Sequence, residues 1–137
     1  SSYVSFESAL SYHGLIPEAV YETTSACYKD KKKDFKNILG AFSFRHSPVR
    51  PFFLEVEKDE YTGALVASAI RALFDLINAK KFEYNSVSDL ESDLRIDLEE
   101  LSGVLDKYKV GDIIKIGDLY KKKSTRRLSK ILIQEFK

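Results

Sequence analysis

The sequence predicts an α+β fold: a short N-terminal helix, a small, mostly antiparallel sheet and a helical C-terminal half. Three observations carry that expectation. Phe6, Ala9, Leu10 and His13 recur at helical spacing at the start of the chain. Between Val20 and Val66, β-branched and aromatic runs alternate with turn residues, which is a strand pattern. From Ala67 onward the apolar spacing changes to the helical period. A chain of 137 residues matches one domain of roughly 100–200 residues. Residues 1–137 are therefore read as a single domain, sheet-rich over 1–66 and helix-rich over 67–137.

In chain order, Ser5 is placed to cap a helix running to Gly14, which supplies a left-handed stop before Pro17. Val20 to Tyr28 reads as a strand and Lys29 to Lys33 as a turn. Phe35 to Phe44 reads as two short strands bent at Gly40. Ser47-Pro48-Val49-Arg50-Pro51 is a stiff connector, because each proline lacks a backbone donor and restricts the residue before it. Phe52 to Glu57 then reads as a strand, with Tyr61 to Val66 returning antiparallel to it.

Ile70, Leu73, Phe74 and Ile77 give a helical stripe from Ser68 to Lys81, with Lys80 and Lys81 at the negative end of the helix dipole. Ser88-Asp89-Leu90-Glu91 and Asp97-Leu98-Glu99-Glu100 have capping-box spacing, so two helices are expected to meet near Ile96, with one continuous helix as the alternative. Ser124 is placed to cap a last helix that turns Leu128, Ile131 and Leu132 inward and Arg126, Arg127 and Lys130 outward.

Composition narrows the function classes. With 44% hydrophobic residues, including 9 Phe and 8 Tyr, the chain can bury about two-thirds of its unfolded surface without metal or disulfide help. Lys and Arg number 22 against 21 Asp and Glu, so the whole-molecule field draws the protein neither to nucleic acid nor to an anionic membrane. Cys27 is the single cysteine, which excludes an intramolecular disulfide framework and a multi-cysteine zinc site and fits a reducing, cytoplasmic setting. No apolar run approaches the roughly 18 residues of a membrane span. The chain has no Met and starts at Ser1, which we read as an excised piece of a longer protein.

The search for catalytic chemistry finds little. His13 lies on an apolar helix face and His46 beside Ser47-Pro48, and neither has an acidic residue at helical metal-ligand spacing. Asp34-Phe35-Lys36 and Glu135-Phe136-Lys137 fit the acidic-x-Lys element of metal-dependent nucleases. Such triplets arise readily by chance in a charge-rich chain, so a nuclease using Asp34 and Lys36 ranks last among the alternatives. Isolated glycines rule against a phosphate loop, and Cys27 reads as a small core hydrophobe. No cofactor and no metal are expected.

Local charge is more informative. Lys29, Lys31, Lys32, Lys33 and Lys36 form one basic run; Lys121, Lys122, Lys123, Arg126, Arg127 and Lys130 form another. Runs of this kind can pair with phosphates, which makes Lys31, Lys32, Lys33, Arg126, Arg127 and Lys130 candidate nucleic-acid contacts. The competing reading is a solvated turn and a solvated helix start.

The opening Tyr3-Val4-Ser5-Phe6-Glu7-Ser8-Ala9-Leu10-Ser11-Tyr12-His13-Gly14-Leu15-Ile16-Pro17-Glu18 resembles the signature that opens the antitoxin domain of the AbiEi family of bacterial abortive-infection systems. Gly40-Ala41-Phe42-Ser43-Phe44-Arg45-His46 resembles that family's glycine, aromatic and histidine segment. Ala67 to Leu76 resembles its following helix, departing at Ser68-Ala69-Ile70-Arg71 from the family's Pro-Glu-Lys-Ala-Leu-like stretch. The resemblance implies a non-enzymatic antitoxin domain that opposes a nucleotidyltransferase toxin encoded beside it, with no stable complex required. It also implies a winged helix-turn-helix domain ahead of this one, through which the intact protein would bind operator DNA and repress its own transcription. Ser5, Ser8, His13 and Gly14 of the signature are read as structural: a cap, a docking face and a helix stop.

Overall fold

A computed structural model of the chain describes residues 2–17, 22–27, 33–37, 40–80 and 83–137, with the backbone alone at 22, 33–37 and 40–44. The fold is α+β. Its strands are β1 (Ser2–Val4), β2 (Glu22–Cys27), β3 (Lys33–Asn37), β4 (Gly40–His46), β5 (Val56–Lys58) and β6 (Leu65–Ala67). Helix α1 (Phe6–Tyr12) lies between β1 and β2. After β6 come α2 (Ala69–Ala79), α3 (Val87–Leu94), α4 (Leu98–Leu105), α5 (Val110–Leu119) and α6 (Lys123–Phe136).

Among the described residues the strands form one mixed six-stranded sheet in the order β3-β4-β2-β1-β6-β5. The β1–β2, β3–β4 and β5–β6 pairs are antiparallel. The β1–β6 and β2–β4 pairs are parallel, with Val4 opposite Val66 and Cys27 opposite His46. The parallel pairs need crossovers, so they join segments distant in sequence.

Helix α2 organises the rest. Ser68 Oγ caps it by accepting from the Arg71 backbone N–H at 3.2 Å, and every residue from Ala69 to Ile77 is buried. A helix enclosed all round belongs in the middle of a core, and α1, α4, α5, α6 and β6 pack about it. One apolar cluster runs from Tyr3, Phe6 and Leu10 through Leu73 and Phe74 to Leu128 and Leu132, so the sheet and the helical half share it.

Several local expectations need correction. Phe52 to Glu57 is not a strand: residues 51–55 turn, with Glu55 at φ +60°, and only Val56–Lys58 pairs. The cause is tertiary. Phe52 packs edge-on against Tyr3 with ring centroids 5.0 Å apart, and the Leu54 carbonyl is taken by the Arg71 guanidinium at 2.7 Å. The returning strand is shorter than the Tyr61–Val66 expectation, because Asp59 accepts from the Thr62 N–H and hydroxyl and holds the turn before Leu65.

Ser86, not Ser88, caps α3, in a capping box with Asp89. Asp97 caps α4 by accepting from the Glu99 and Glu100 N–H groups, as its spacing predicts. Ser124 does not cap α6, whose N-cap residue is Lys122. Lys80 is the residue capping the C-terminal end of α2, while Lys81 lies outside the described residues.

The sequence predicts no element over Val110–Leu119, yet α5 is a helix. Asp112 accepts from the Lys109 N–H at 2.9 Å, and Ile113 and Ile116 turn inward. Gly111 and Gly117 hid it, since glycine is about 1 kcal/mol worse than alanine in a helix interior. Gly117 has a packing reason. A Cβ there would fall on Ser129 Oγ and lie 2.9 Å from the Thr125 carbonyl oxygen, so glycine lets α5 and α6 close into an antiparallel hairpin.

Candidate functional site

The signature segment and α2 meet at a buried polar knot. Arg71 and Asp75, one turn apart on α2, form an ion pair at 3.1 Å with both side chains about 1% exposed. Asp75 also accepts from the Tyr3 hydroxyl at 2.7 Å, the Ser5 hydroxyl at 2.6 Å and the Tyr120 hydroxyl at 2.6 Å. Arg71 in turn donates to the Leu54 carbonyl and to Ser47 Oγ, and its guanidinium lies 5.0 Å from the centroid of the Tyr3 ring. Burying a charge is costly unless it is paired and hydrogen-bonded, and here both charges are. The knot thereby ties β1, the 47–54 connector, α2 and the end of α5 together.

The electrostatics follow from burial. Desolvation, followed by the charge of Asp75, pushes the Tyr3 and Tyr120 hydroxyls well above the ordinary phenol value of 10.0. For Arg71, desolvation opposes the charge, but Asp75, Tyr120 and Tyr3 together outweigh it and hold the proton more firmly than usual. The hydroxyls of Tyr3, Ser5 and Tyr120 all donate to the Asp75 carboxylate, an arrangement that locks structure rather than offering a proton acceptor to a ligand.

The signature residues take these positions. Ser5 stands at the N-cap of α1, but its side chain makes no cap bond; the buried carboxylate of Asp75 claims the hydroxyl instead. Ser8 Oγ accepts from the Thr24 N–H at 2.9 Å, tying α1 to β2. His13 follows the last residue of α1, and its Nε2 lies 2.7 Å from the Ala67 carbonyl, so the hydrogen sits on Nε2. Its partner is thus on β6 rather than at the end of its own helix. Gly14 has φ +78°, a left-handed position that favours glycine.

The basic candidates separate. Lys31 and Lys32 lie outside the described residues, and Lys33 begins β3, at one edge of the sheet. On α6, Arg126, Arg127 and Lys130 are all exposed, but they do not form one patch. Arg127 turns toward α3 and donates to Asn85 Oδ1 at 2.7 Å. Arg126 pairs with Asp118 of α5 at 3.1 Å, and Lys130 lines the same groove between α5 and α6. Lys122 bonds the Asn78 carbonyl.

One further feature was not legible in sequence. Strand register sets Cys27 opposite His46, and a thiol beside an imidazole can be an activated nucleophile when a third group orients the ring. Here Nδ1 of His46 is buried with no hydrogen-bond partner among the described residues, so no described group orients the ring through that nitrogen. Asp34 and Lys36 both lie on β3. Among the described residues no group of three or more His, Cys, Asp or Glu side chains could hold a metal, and no helix is long and apolar enough to cross a membrane.

Comparison of the chain with protein-family models, curated proteins and solved structures gives no match.

Proposed function

We propose that this chain is a non-catalytic, cytoplasmic antitoxin domain of a bacterial phage-defence toxin–antitoxin system, opposing a nucleotidyltransferase toxin encoded beside it. One observation carries the reading. The segments resembling the AbiEi family are far apart in sequence yet belong to one spatial unit. Tyr3 and Ser5 of the first bond Asp75 of the third, His13 bonds the Ala67 carbonyl, and β4 of the second pairs with β2 beside β1. The first and third segments thus bond each other directly, and the second joins the same sheet through β2. In the intact protein the domain would assist autorepression at operator DNA, with no stable toxin complex needed.

The test is co-expression of the intact parent protein with the adjacent nucleotidyltransferase in cells whose growth that enzyme arrests. Restored growth is expected, and continued arrest with soluble, folded parent protein refutes the reading.

An accessory nucleic-acid-binding role is the second reading, favoured by the exposed cations of α6. Changing Arg126, Arg127 and Lys130 together to Gln would then weaken DNA binding by the intact protein and flatten its salt dependence, because fewer counterions are released. Unchanged affinity and salt slope refute a phosphate-binding role for α6.

A further inference from the structure

Ile114 is 47% exposed and Val110, one turn earlier on the same helix, 42% exposed. Isolated surface apolar residues are ordinary, but contiguous ones next to a hollow mark interaction sites. Ile114 has a hollow on each side. One, of about 470 Å³, runs between α5 and α6 and is floored by Val110, Ile114 and Ile133, with Arg126, Lys130 and Gln134 along its wall. The other, of about 490 Å³, shares Ile114 and Asp118 with the first and is bordered by Leu119, Lys115, Lys121 and Arg50.

The charge around this surface is one-sided. Arg50, Lys115, Lys121, Arg126 and Lys130 border the two hollows, against Asp118 alone, and Asp118 is already paired with Arg126. An apolar centre inside a charged rim is the anatomy of a protein-binding patch. A phosphate backbone gains little from Val110, Ile114 and Ile133, whereas apolar side chains do. The lining also repeats at helical spacing on both sides, as Val110, Ile114 and Asp118 on α5 and as Arg126, Lys130 and Ile133 on α6. A third helix laid along two others meets them with ridges of that same spacing.

We infer that the α5–α6 groove, centred on Ile114, docks an acidic amphipathic helix of a partner protein. The partner's apolar stripe covers Val110, Ile114 and Ile133, and its flanking carboxylates face Lys115, Lys121 and Lys130. This surface lies apart from the buried knot and does not depend on the antitoxin reading.

The experiment uses the full chain and a labelled helical peptide with leucines at i, i+3, i+4 and i+7 and glutamates elsewhere, followed by fluorescence anisotropy. Comparators are a peptide of equal composition with the stripe scattered, the same stripe with lysines for glutamates, and a duplex DNA of mixed sequence. The acidic striped peptide is expected to bind best. Ile114→Glu should weaken it by about tenfold or more, as for loss of a central anchor. Lys115→Glu with Lys130→Glu should weaken it similarly and flatten its salt dependence. Both variants alter exposed positions, and unchanged circular-dichroism melts verify that they fold.

Failure of the striped peptide to bind better than the scattered one, or indifference to both variants, overturns the proposal. Two other outcomes do the same: tighter binding of the DNA duplex, lost in the lysine variant but kept in Ile114→Glu, and a concentration-dependent dimer of the chain abolished by Ile114→Glu. The first would make the surface a phosphate site, and the second would make it a self-interface.

Discussion

Replacing Asp75 with Asn tests the buried knot most directly. The change preserves shape and removes one charge. Asp75 now accepts bonds at both oxygens, from Tyr3 and Ser5 at one and from Tyr120 and Arg71 at the other. An asparagine presents one oxygen and one NH₂, so in either orientation two of the four partners lose their acceptor, and a hydroxyl among them must turn to accept instead. Arg71 is 0% exposed and loses its counter-charge, and breaking a buried ion pair from one side costs about 3–5 kcal/mol. For a domain of this length each kcal/mol moves Tm by roughly 3 °C, so a fall on the order of 10 °C is expected.

Urea unfolding followed by circular dichroism is the assay, with an unchanged m-value to show that the unfolded reference is the same. Tyr120→Phe is the graded companion. It removes one of four donors and should cost about 1.5–3 kcal/mol, the range for a hydrogen bond to a charged group. The two changes should be non-additive in a double-mutant cycle, because they share a partner. An Asp75→Asn protein within about 1 kcal/mol of the parent, or strict additivity with Tyr120→Phe, would refute the reasoning that these groups act as one unit.

Three more outcomes are expected. Gly117→Ala should destabilise by about 1–3 kcal/mol through overpacking, because its Cβ meets the Thr125 carbonyl and Ser129; Gly103→Ala, with nothing near its Cβ, should be neutral or stabilising in the same melts. His13→Ala removes the Ala67 carbonyl's imidazole donor and should cost about 1–2 kcal/mol, with part recovered in His13→Gln. Loss of growth rescue by His13→Ala with an unchanged melt would instead place a functional contact at that helix end. Stability should also decline in alkali: Tyr3 and Tyr120 titrate above 10.0 when folded. Unfolded tyrosines therefore ionise first, so their contribution is complete below about pH 10 and lost as pH rises beyond it. Tyrosinate absorbance followed through the unfolding transition checks this, and Tyr120→Phe should soften the dependence.

Much of the secondary structure was legible because its signals are local. The Ile70, Leu73, Phe74 and Ile77 stripe marks α2, the Leu128, Ile131 and Leu132 face orients α6, and Gly14 ends α1, each through periodicity or backbone freedom within a few residues. Reading fails where a distant partner decides. Ser5 has the chemistry of a helix cap, yet its hydroxyl goes to Asp75, 70 residues on. Phe52 to Glu57 has strand composition, yet Arg71 takes the Leu54 carbonyl and the chain turns. Arg126, Arg127 and Lys130 read as part of one basic run, yet Arg127 donates to Asn85 ahead of α3 while Arg126 pairs with Asp118 of α5.

The α+β class, the core-facing residues of the main helices and the basic character of α6 are properties of residue type and spacing, so they are written along the chain. The parallel pairs β1–β6 and β2–β4, the register that sets Cys27 opposite His46 and the Arg71–Asp75 knot come from long-range closure. A buried charge specifies only that partners must exist, and packing chooses which ones.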